Sequence, residues 1–386
     1  LSRLKLVPTI IVKWVLRVIY SLCCIFPPKQ NKITFASYRS EEMKGNLGQI
    51  EAYIQEHYPK MKNIYLLQKM GGSLLGKVGY IIHMFRASYH LATSRYFFID
   101  DYYFLVYAVK PRKSVQVIQL WHSAGALKKF GYSTIDKPYG PSRNYLKHIP
   151  IHGNYTKVFV SSNEVIPYFA EAFNMDSKNI YQLGIPRTDY FFDEKHKLQA
   201  LYKFQAIFPL HENKKKVLYA PTYRGGGHNQ KHFEMPIDIH KFTEELGEDY
   251  LLMIHLHPYM KYERTKFNSS VIFIDDDFTI EELLIVAHIL VTDYSSIIFD
   301  FSILEKPMIF FAYDLEEYRA ERDFYYNYEE TMPGPIVKTN ESLFAAIKQS
   351  IDLGDTEDVK QFKQRYFDYN DGQATERIVR NIISGE

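Results

Sequence analysis

The stretch ILVTDYSSIIFDFSILEKPMIFF, residues 289–311, decides the reading of the fold. Ile289 to Val291 is an apolar run that ends in a polar knot, Thr292-Asp293-Tyr294-Ser295-Ser296. A mostly apolar segment follows from Ile297 to Leu304, and Pro307 opens a second short apolar run, Met308 to Ala312. The pattern predicts strand, tight turn, helix, strand. Such a turn sets two serine hydroxyls and backbone N–H groups at a helix N-terminus, where an anion is stabilised. Ser and Asp are also favoured there as plain helix caps, so this stretch alone leaves both readings standing.

Moving outward, the same grammar repeats. Short buried strands are expected at Ile33–Ala36, 63–67, 96–100, 115–120, 157–162, 180–184, 216–222, 250–258, 271–275 and 289–293, alternating with helical segments such as 47–57. Strands of that length separated by helices imply parallel sheets covered on both faces, an α/β architecture. The 386 residues suit two domains. A break is expected near 184–216, where Gly184-Ile185-Pro186-Arg187 closes one unit and Lys214-Lys215-Lys216 precedes a fresh strand. The organisation read from this is an interfacial helix over 1–28, an α/β domain over 29–190, a second over 191–358 and a closing helix over 359–386. Two such halves with a ligand cleft between them follow from the rule that ligands sit beyond the carboxyl ends of parallel strands.

The N-terminal run LKLVPTIIVKWVLRVIYSLCCIF, residues 4–26, is apolar enough for a signal peptide or a membrane span. Lys13 and Arg17, four apart on one helix face, oppose a span, and no small-residue cleavage site opposes a secretory signal. A helix lying in the membrane interface fits better. Arg3, Lys5, Lys13 and Arg17 would then face anionic headgroups, with Trp14 and Tyr20 as anchors. A second basic and aromatic segment, residues 76–95, with Lys77, Tyr80, Phe85, Arg86, Tyr89 and Arg95, reads equally as membrane-facing or as core.

The formal net charge of +2 gives no reason to expect nucleic acid as a partner. The 32 Tyr and 27 Phe against 2 Trp weakly favour a membrane interface or a sugar ligand. The only cysteines, Cys23 and Cys24, are adjacent and cannot staple a fold. No phosphate loop and no dinucleotide fingerprint is present, and Gly225-Gly226-Gly227 has the spacing of neither. Asp275-Asp276-Asp277 reads as a solvated loop rather than a cation site, because consecutive side chains diverge. No cofactor is expected, and the sequence leaves a Mg2+ requirement undecided.

Four polar clusters each follow a buried strand: Trp121-His122-Ser123, Pro221-Thr222-Tyr223-Arg224, His257-Pro258, and the 292–296 knot. In parallel sheets such ends face one way and can converge. A lone strand-end His is commonly structural; four clusters carrying imidazole, guanidinium and hydroxyl groups suit displacement at phosphorus. Arg187, Arg224, Ser295 and Ser296, with Lys128 or Lys129, would hold a diphosphate. His122 is expected to act as general base on the acceptor side, and His257 to stabilise the phosphate or leaving nucleotide on the donor side.

These residues resemble the CDP-glycerol glycerophosphotransferase family, which builds bacterial wall teichoic acid. The matching stretches are WHSAGALKKFG (121–131), GIPRTD (184–189), APTYRGG (220–226), HLHP (255–258), TDYSSIIFDFSILEKP (292–307), PGPI (333–336) and DGQAT (371–375), and the resemblance as a whole covers essentially 30–383. Tyr223 stands where the family usually has Trp, and Gly225 where an acidic residue is common. The resemblance implies a GT-B-like fold of two Rossmann-like domains. It implicates His122 and His257 in catalysis and places Arg187, Thr222, Arg224, Ser295 and Ser296 around the diphosphate of CDP-glycerol.

Within the family the chain looks most like the glycerol-phosphate primases. These move one sn-glycerol-3-phosphate to the N-acetylmannosamine of an undecaprenyl-diphosphate-linked disaccharide and release CMP. That implies a peripheral enzyme at the cytoplasmic face of the membrane, with an anionic membrane surface as partner and homo-oligomers or other teichoic acid enzymes as associates. The alternatives are a glycerol- or ribitol-phosphate polymerase of the same family and a nucleotide-sugar glycosyltransferase on the same fold.

Overall fold

The computed structural model describes all residues except 1, 70–73, 224, 227–228, 231–233, 258–259, 261, 263–269, 355 and 386. The chain divides into two compact units. The first comprises residues 1–124, 129–189 and 373–386; the second comprises 125–128 and 190–372.

The first unit is built on a parallel sheet of β1 (Lys29–Ser37), β2 (Lys62–Leu67), β3 (Ser94–Ile99), β4 (Gln116–Gln119), β5 (Lys157–Phe159) and β6 (Ile180–Tyr181), in the order β2-β1-β3-β4-β5-β6. Its central strands are buried on both faces. Ile33, Phe35, Phe97 and Phe98 are all fully buried, as expected of a sheet covered on both sides. The second unit carries β7 (Lys215–Tyr219), a two-residue hairpin β8 (Gly225–Gly226) and β9 (Asn229–Gln230), then β10 (Tyr250–Ile254), β11 (Val271–Phe273), β12 (Ile289–Thr292), β13 (Met308–Phe311) and β14 (Ile336–Val337). Apart from the hairpin these form a second parallel sheet, in the order β11-β10-β7-β12-β13-β14. Each expected strand is present; β1 and β2 run to or past their expected ends, and the later ones stop one to four residues early, where polar residues leave the ladder. β14, which begins at the last residue of PGPI, was not anticipated.

Strand order reverses once in each sheet, between β1 and β3 in the first and between β7 and β12 in the second. Such switch points open a crevice at the carboxyl ends of the flanking strands.

The closing helix expected over 359–386 is two helices, Glu357–Tyr366 and Ala374–Ile383. The break falls at Gly372, whose φ of +68° is left-handed and suits glycine. The second of these helices belongs to the first unit, where Ile378, Val379 and Ile382 join the core. Two of the motifs noted above make the join. Asp189 accepts hydrogen bonds from the backbone N–H groups of Ala374 (2.9 Å) and Thr375 (2.8 Å). Gly184, at φ +100°, lies so close that a Cβ would stand 2.6 Å from the Ala374 Cβ.

The N-terminal helix α1 (Ser2–Cys23) precedes α2 (Gly45–His57), α3 (Leu74–Thr93) and α4 (Phe104–Ala108), and it packs on α3 and α4. Among the described residues it is the one helix long and apolar enough to cross a bilayer, over Leu6–Cys23. Its orientation corrects the expected one. Lys13 Nζ donates to the His148 carbonyl and Arg17 Nε to the Ala108 carbonyl at 2.9 Å. Tyr20 is buried, its hydroxyl accepting the Arg112 N–H at 2.9 Å. The cations therefore satisfy the last carbonyls of α4 and of the helix Arg143–His148, where positive charge is favoured. The outward stripe is Val7, Ile11, Trp14, Val18 and Leu22, spaced three and four apart and exposed, with Val78 and Ile82 of α3 also exposed. Arg95 lies in β3 and donates to the Ser114 carbonyl at 3.0 Å; the side chains of Arg3, Lys5 and Lys77 lie outside the described residues.

Candidate active site

In the second unit, the residues at the β7/β12 switch point are Thr222 and the 292–296 knot. Asp293 ties them together: its buried carboxylate Oδ1 accepts the N–H of Thr222 at 2.8 Å and that of Tyr294 at 2.5 Å. Thr292 Oγ1 donates to the Ala220 carbonyl at 2.7 Å, and the Tyr328 hydroxyl to the Asp293 carbonyl at 2.8 Å. Tyr294 is fully buried, stacked on Tyr318 with centroids 3.9 Å apart, and its hydroxyl donates to Asp314 at 2.8 Å. One of the turn's backbone N–H groups, that of Tyr294, is thus taken by Asp293, together with that of Thr222 after β7. The following helix, Ile297–Ser302, has only six residues. What the knot presents is side chains. Ser296 occupies the cap position without a capping hydrogen bond from its side chain, and Ser295 Oγ meets only the Ile297 N–H, at 3.4 Å. Both serine side chains are half-buried at the start of this helix.

His257 follows β10, the neighbour of β7, and is exposed with its ring centroid 5.5 Å from that of Tyr223. The other histidine of that segment is structural: His255 Nδ1 meets the Ile274 carbonyl at 3.1 Å. Lys128 belongs to this unit. It bridges to Phe324 and holds its ammonium 6.0 Å from the centroid of Tyr318, the ring stacked on Tyr294. Arg224 lies outside the described residues. A cavity of about 500 Å³ opens beside Phe311, Tyr313, Asp314, Glu317, Tyr318 and Lys338. Its carboxylates suit hydroxyl groups better than a diphosphate.

In the first unit His122 stands past the end of β4, and the structure supplies two companions that the sequence reading missed. Asp101, two residues past β3, is 3% exposed, and its Oδ2 is 3.1 Å from His122 Nδ1. Arg39, two residues past β1, places Nη1 2.6 Å from the same oxygen. The Arg39–Asp101 pair spans the β1/β3 switch point. Arg187 is brought alongside through Asn46 of α2, whose Oδ1 accepts the Arg187 N–H at 2.9 Å while its Nδ2 donates to the Trp121 carbonyl at 2.7 Å. Burial pulls His122 below the usual imidazole value; Asp101 opposes this, and Arg39 and Arg187 add to it. Burial would raise the Asp101 carboxyl, but His122 and Arg39 together outweigh it and hold it at about 2. With the ring still 37% exposed, the unit offers solvent a neutral imidazole backed by a fixed carboxylate. That is the equipment of a general base. Among the described residues no group of three or more His, Cys, Asp or Glu side chains is placed to hold a metal ion.

Residues 18–384 match the family described as CDP-glycerol:poly(glycerophosphate) glycerophosphotransferase. The chain belongs to that family. It is an enzyme, a transferase of teichoic acid biosynthesis. Over 379 residues it is 42% identical to the teichoic acid ribitol-phosphate primase of Bacillus spizizenii, covering 97% of each chain. It is 30% identical to the teichoic acid glycerol-phosphate primase of Bacillus subtilis, covering 86% of this chain and 82% of that one. Among solved structures, the wall teichoic acid polymerase TagF superposes with a TM-score of 0.79 at 23% identity, covering 99% of this chain and 96% of that one. The glycerophosphotransferase chain thus has the GT-B-like fold expected from its sequence.

Proposed function

We propose that the enzyme primes wall teichoic acid, transferring one polyol phosphate from a CDP-activated polyol to a lipid-linked acceptor. The unit is sn-glycerol-3-phosphate from CDP-glycerol. The acceptor is the N-acetylmannosamine hydroxyl of an undecaprenyl-diphosphate-linked disaccharide, and CMP is released. The observation that carries this reading is the end-to-end match, 97% of each chain, to a relative named as a primase.

His122 takes the acceptor hydroxyl proton as the oxygen attacks the β-phosphorus, and the bond from that phosphorus to the CMP oxygen breaks. His257, Arg187, Arg224, Lys128, Thr222, Ser295 and Ser296 offset the charge on the diphosphate and the departing CMP. The apolar outer stripe of α1 supports a peripheral enzyme that meets its acceptor at the cytoplasmic face of the membrane.

One observation favours a second reading of the donor: the 42% identical relative is named for ribitol phosphate. Incubation with the lipid-linked disaccharide and either CDP-glycerol or CDP-ribitol, following CMP and product length, separates the readings. One glycerol phosphate added is the expected result. Turnover with CDP-ribitol alone selects the second reading, and long products select a polymerase. UDP released from a UDP-sugar, with no CMP from either donor, overturns both.

A further inference from the structure

We propose that Asp101 is the positioning residue that fixes the ring of His122, with Arg39 as its counter-charge. The inference rests on the reading of His122 as the base. Three neighbouring strands of the first sheet, β1, β3 and β4, each end in one member of the group. The carboxylate and the backbone carbonyl of Asp101 are both held locally. Its Oδ1 accepts the Tyr102 N–H at 2.6 Å, and its Oδ2 lies 2.6 Å from Arg39 Nη1 and 3.1 Å from His122 Nδ1. Its backbone carbonyl accepts from Gln119 Nε2 at 2.9 Å, and the Oε1 of the same Gln119 accepts the Trp121 N–H at 2.8 Å. One side chain therefore ties the Asp101 backbone to the residue before the histidine. Trp121 holds a φ of +52°, a left-handed conformation costing about 1 kcal/mol or more outside glycine. Asn46 and Gln119 pin it from both sides, and what the strain fixes is the direction of the His122 ring.

A simple brace between β1 and β3 would need only Arg39 and Asp101. The shared oxygen is what a brace does not require. A carboxylate at Nδ1 keeps the imidazole proton there and leaves the Nε2 lone pair to receive a proton. The hydroxyl proton then goes to Nε2, the Nδ1 proton stays in place, and Asp101 remains ionised beside the imidazolium. A carboxylate alone would also make the imidazole more basic. Arg39 on the same oxygen limits that gain, with Arg187 acting in the same sense, so the ring stays neutral before the reaction. His152, packed against Trp121, Asp100 and Tyr38, both beside Arg39 and Asp101, and Tyr155, near Asp101, are further titratable groups facing this cluster.

The test uses the full chain with donor and lipid-linked acceptor, comparing His122→Ala, Asp101→Asn, Arg39→Gln and, as a control, Asp100→Asn. Asp101→Asn is expected to lower kcat by about a hundredfold or more through the wrong tautomer, with donor KM changed less than about threefold. Long-range 1H–15N spectra should show the His122 proton moved from Nδ1 to Nε2. Arg39→Gln should move the acid limb of kcat/KM upward by about one pH unit, and Asp100→Asn should not. If His122→Ala is inactive while Asp101→Asn keeps the wild-type rate and tautomer, the positioning role is overturned and the base survives. If His122→Ala keeps the wild-type rate, the base reading itself falls. Should Asp101→Asn not fold, Arg39→Gln decides: a raised limb supports the proposal and an unmoved limb overturns it.

Discussion

Replacing Ile11, Trp14 and Val18 together by serine should detach the enzyme from anionic vesicles without unfolding it. These side chains are 57%, 59% and 59% exposed, so the folded protein gains little from them. Fully burying an aliphatic or aromatic side chain gains about 1.5–3 kcal/mol, and somewhat over half of that area remains to be covered by lipid. Each residue thus contributes about 1 kcal/mol at the membrane, and three contribute about 3 kcal/mol, roughly a hundredfold in partitioning. Sedimentation with phosphatidylglycerol-containing vesicles reads the binding, and thermal unfolding reads the fold.

The contrasting variant is Arg17→Gln. Because Arg17 donates to the Ala108 carbonyl, it should lower the melting temperature and leave vesicle binding within about threefold of wild type, since the lost contact is internal. A triple-serine protein that sediments like wild type would refute the orientation of α1. So would an Arg17→Gln protein that keeps its melting temperature and loses the vesicles.

Three further outcomes follow from the packing. Asp189→Ala removes the acceptor for two N–H groups at the start of Ala374–Ile383 and should cost about 1–2 kcal/mol; an unchanged denaturation midpoint would contradict the capping role. Gly125→Ala would set a methyl 2.3 Å from the Phe299 ring and should destabilise by about 1–3 kcal/mol. Gly79→Ala, in the helix α3 with its nearest atom 3.8 Å away, should be neutral or stabilising by up to about 1 kcal/mol, and equal effects at the two sites would discredit the packing. His152, 1% exposed, is held down to about 3 by burial, so below about pH 6.5 the unfolded chain binds a proton that the folded chain refuses. Its contribution is therefore full above that pH and falls by about 1.4 kcal/mol per unit as the pH drops toward 3. Going from pH 7 to 5, His152→Asn should lose about 2 kcal/mol less than wild type, and a parallel loss would rule this out.

The strands were legible because each is a short apolar run stopped by polar residues, and a parallel sheet buried on both faces needs no other signature. The knot after β12 was legible for the same reason. The role of Asp293 was not, since its carboxylate is matched to an N–H 71 residues away. Asp101 gave even less signal. It is the second of two adjacent acids at a strand end, and its partners lie 62 residues before it and 21 after. Only the strand order makes them neighbours. The facing of α1 was misread because the carbonyls that receive Lys13 and Arg17 are backbone groups, which no side-chain pattern announces. The break at 372 did have a local signal, Asp371-Gly372, a turn dipeptide that argues against one continuous helix.

The most direct test of the central claim is CMP release in a single turnover from CDP-glycerol or CDP-ribitol, with the lipid-linked disaccharide as acceptor, by wild type and by His122→Ala. The account predicts CMP matched one for one by acceptor extended by a single polyol phosphate in the wild type, and a rate at least about a hundredfold lower in a folded His122→Ala protein. Wild-type CMP release from the folded His122→Ala protein, or no release by wild type from either donor, would contradict it.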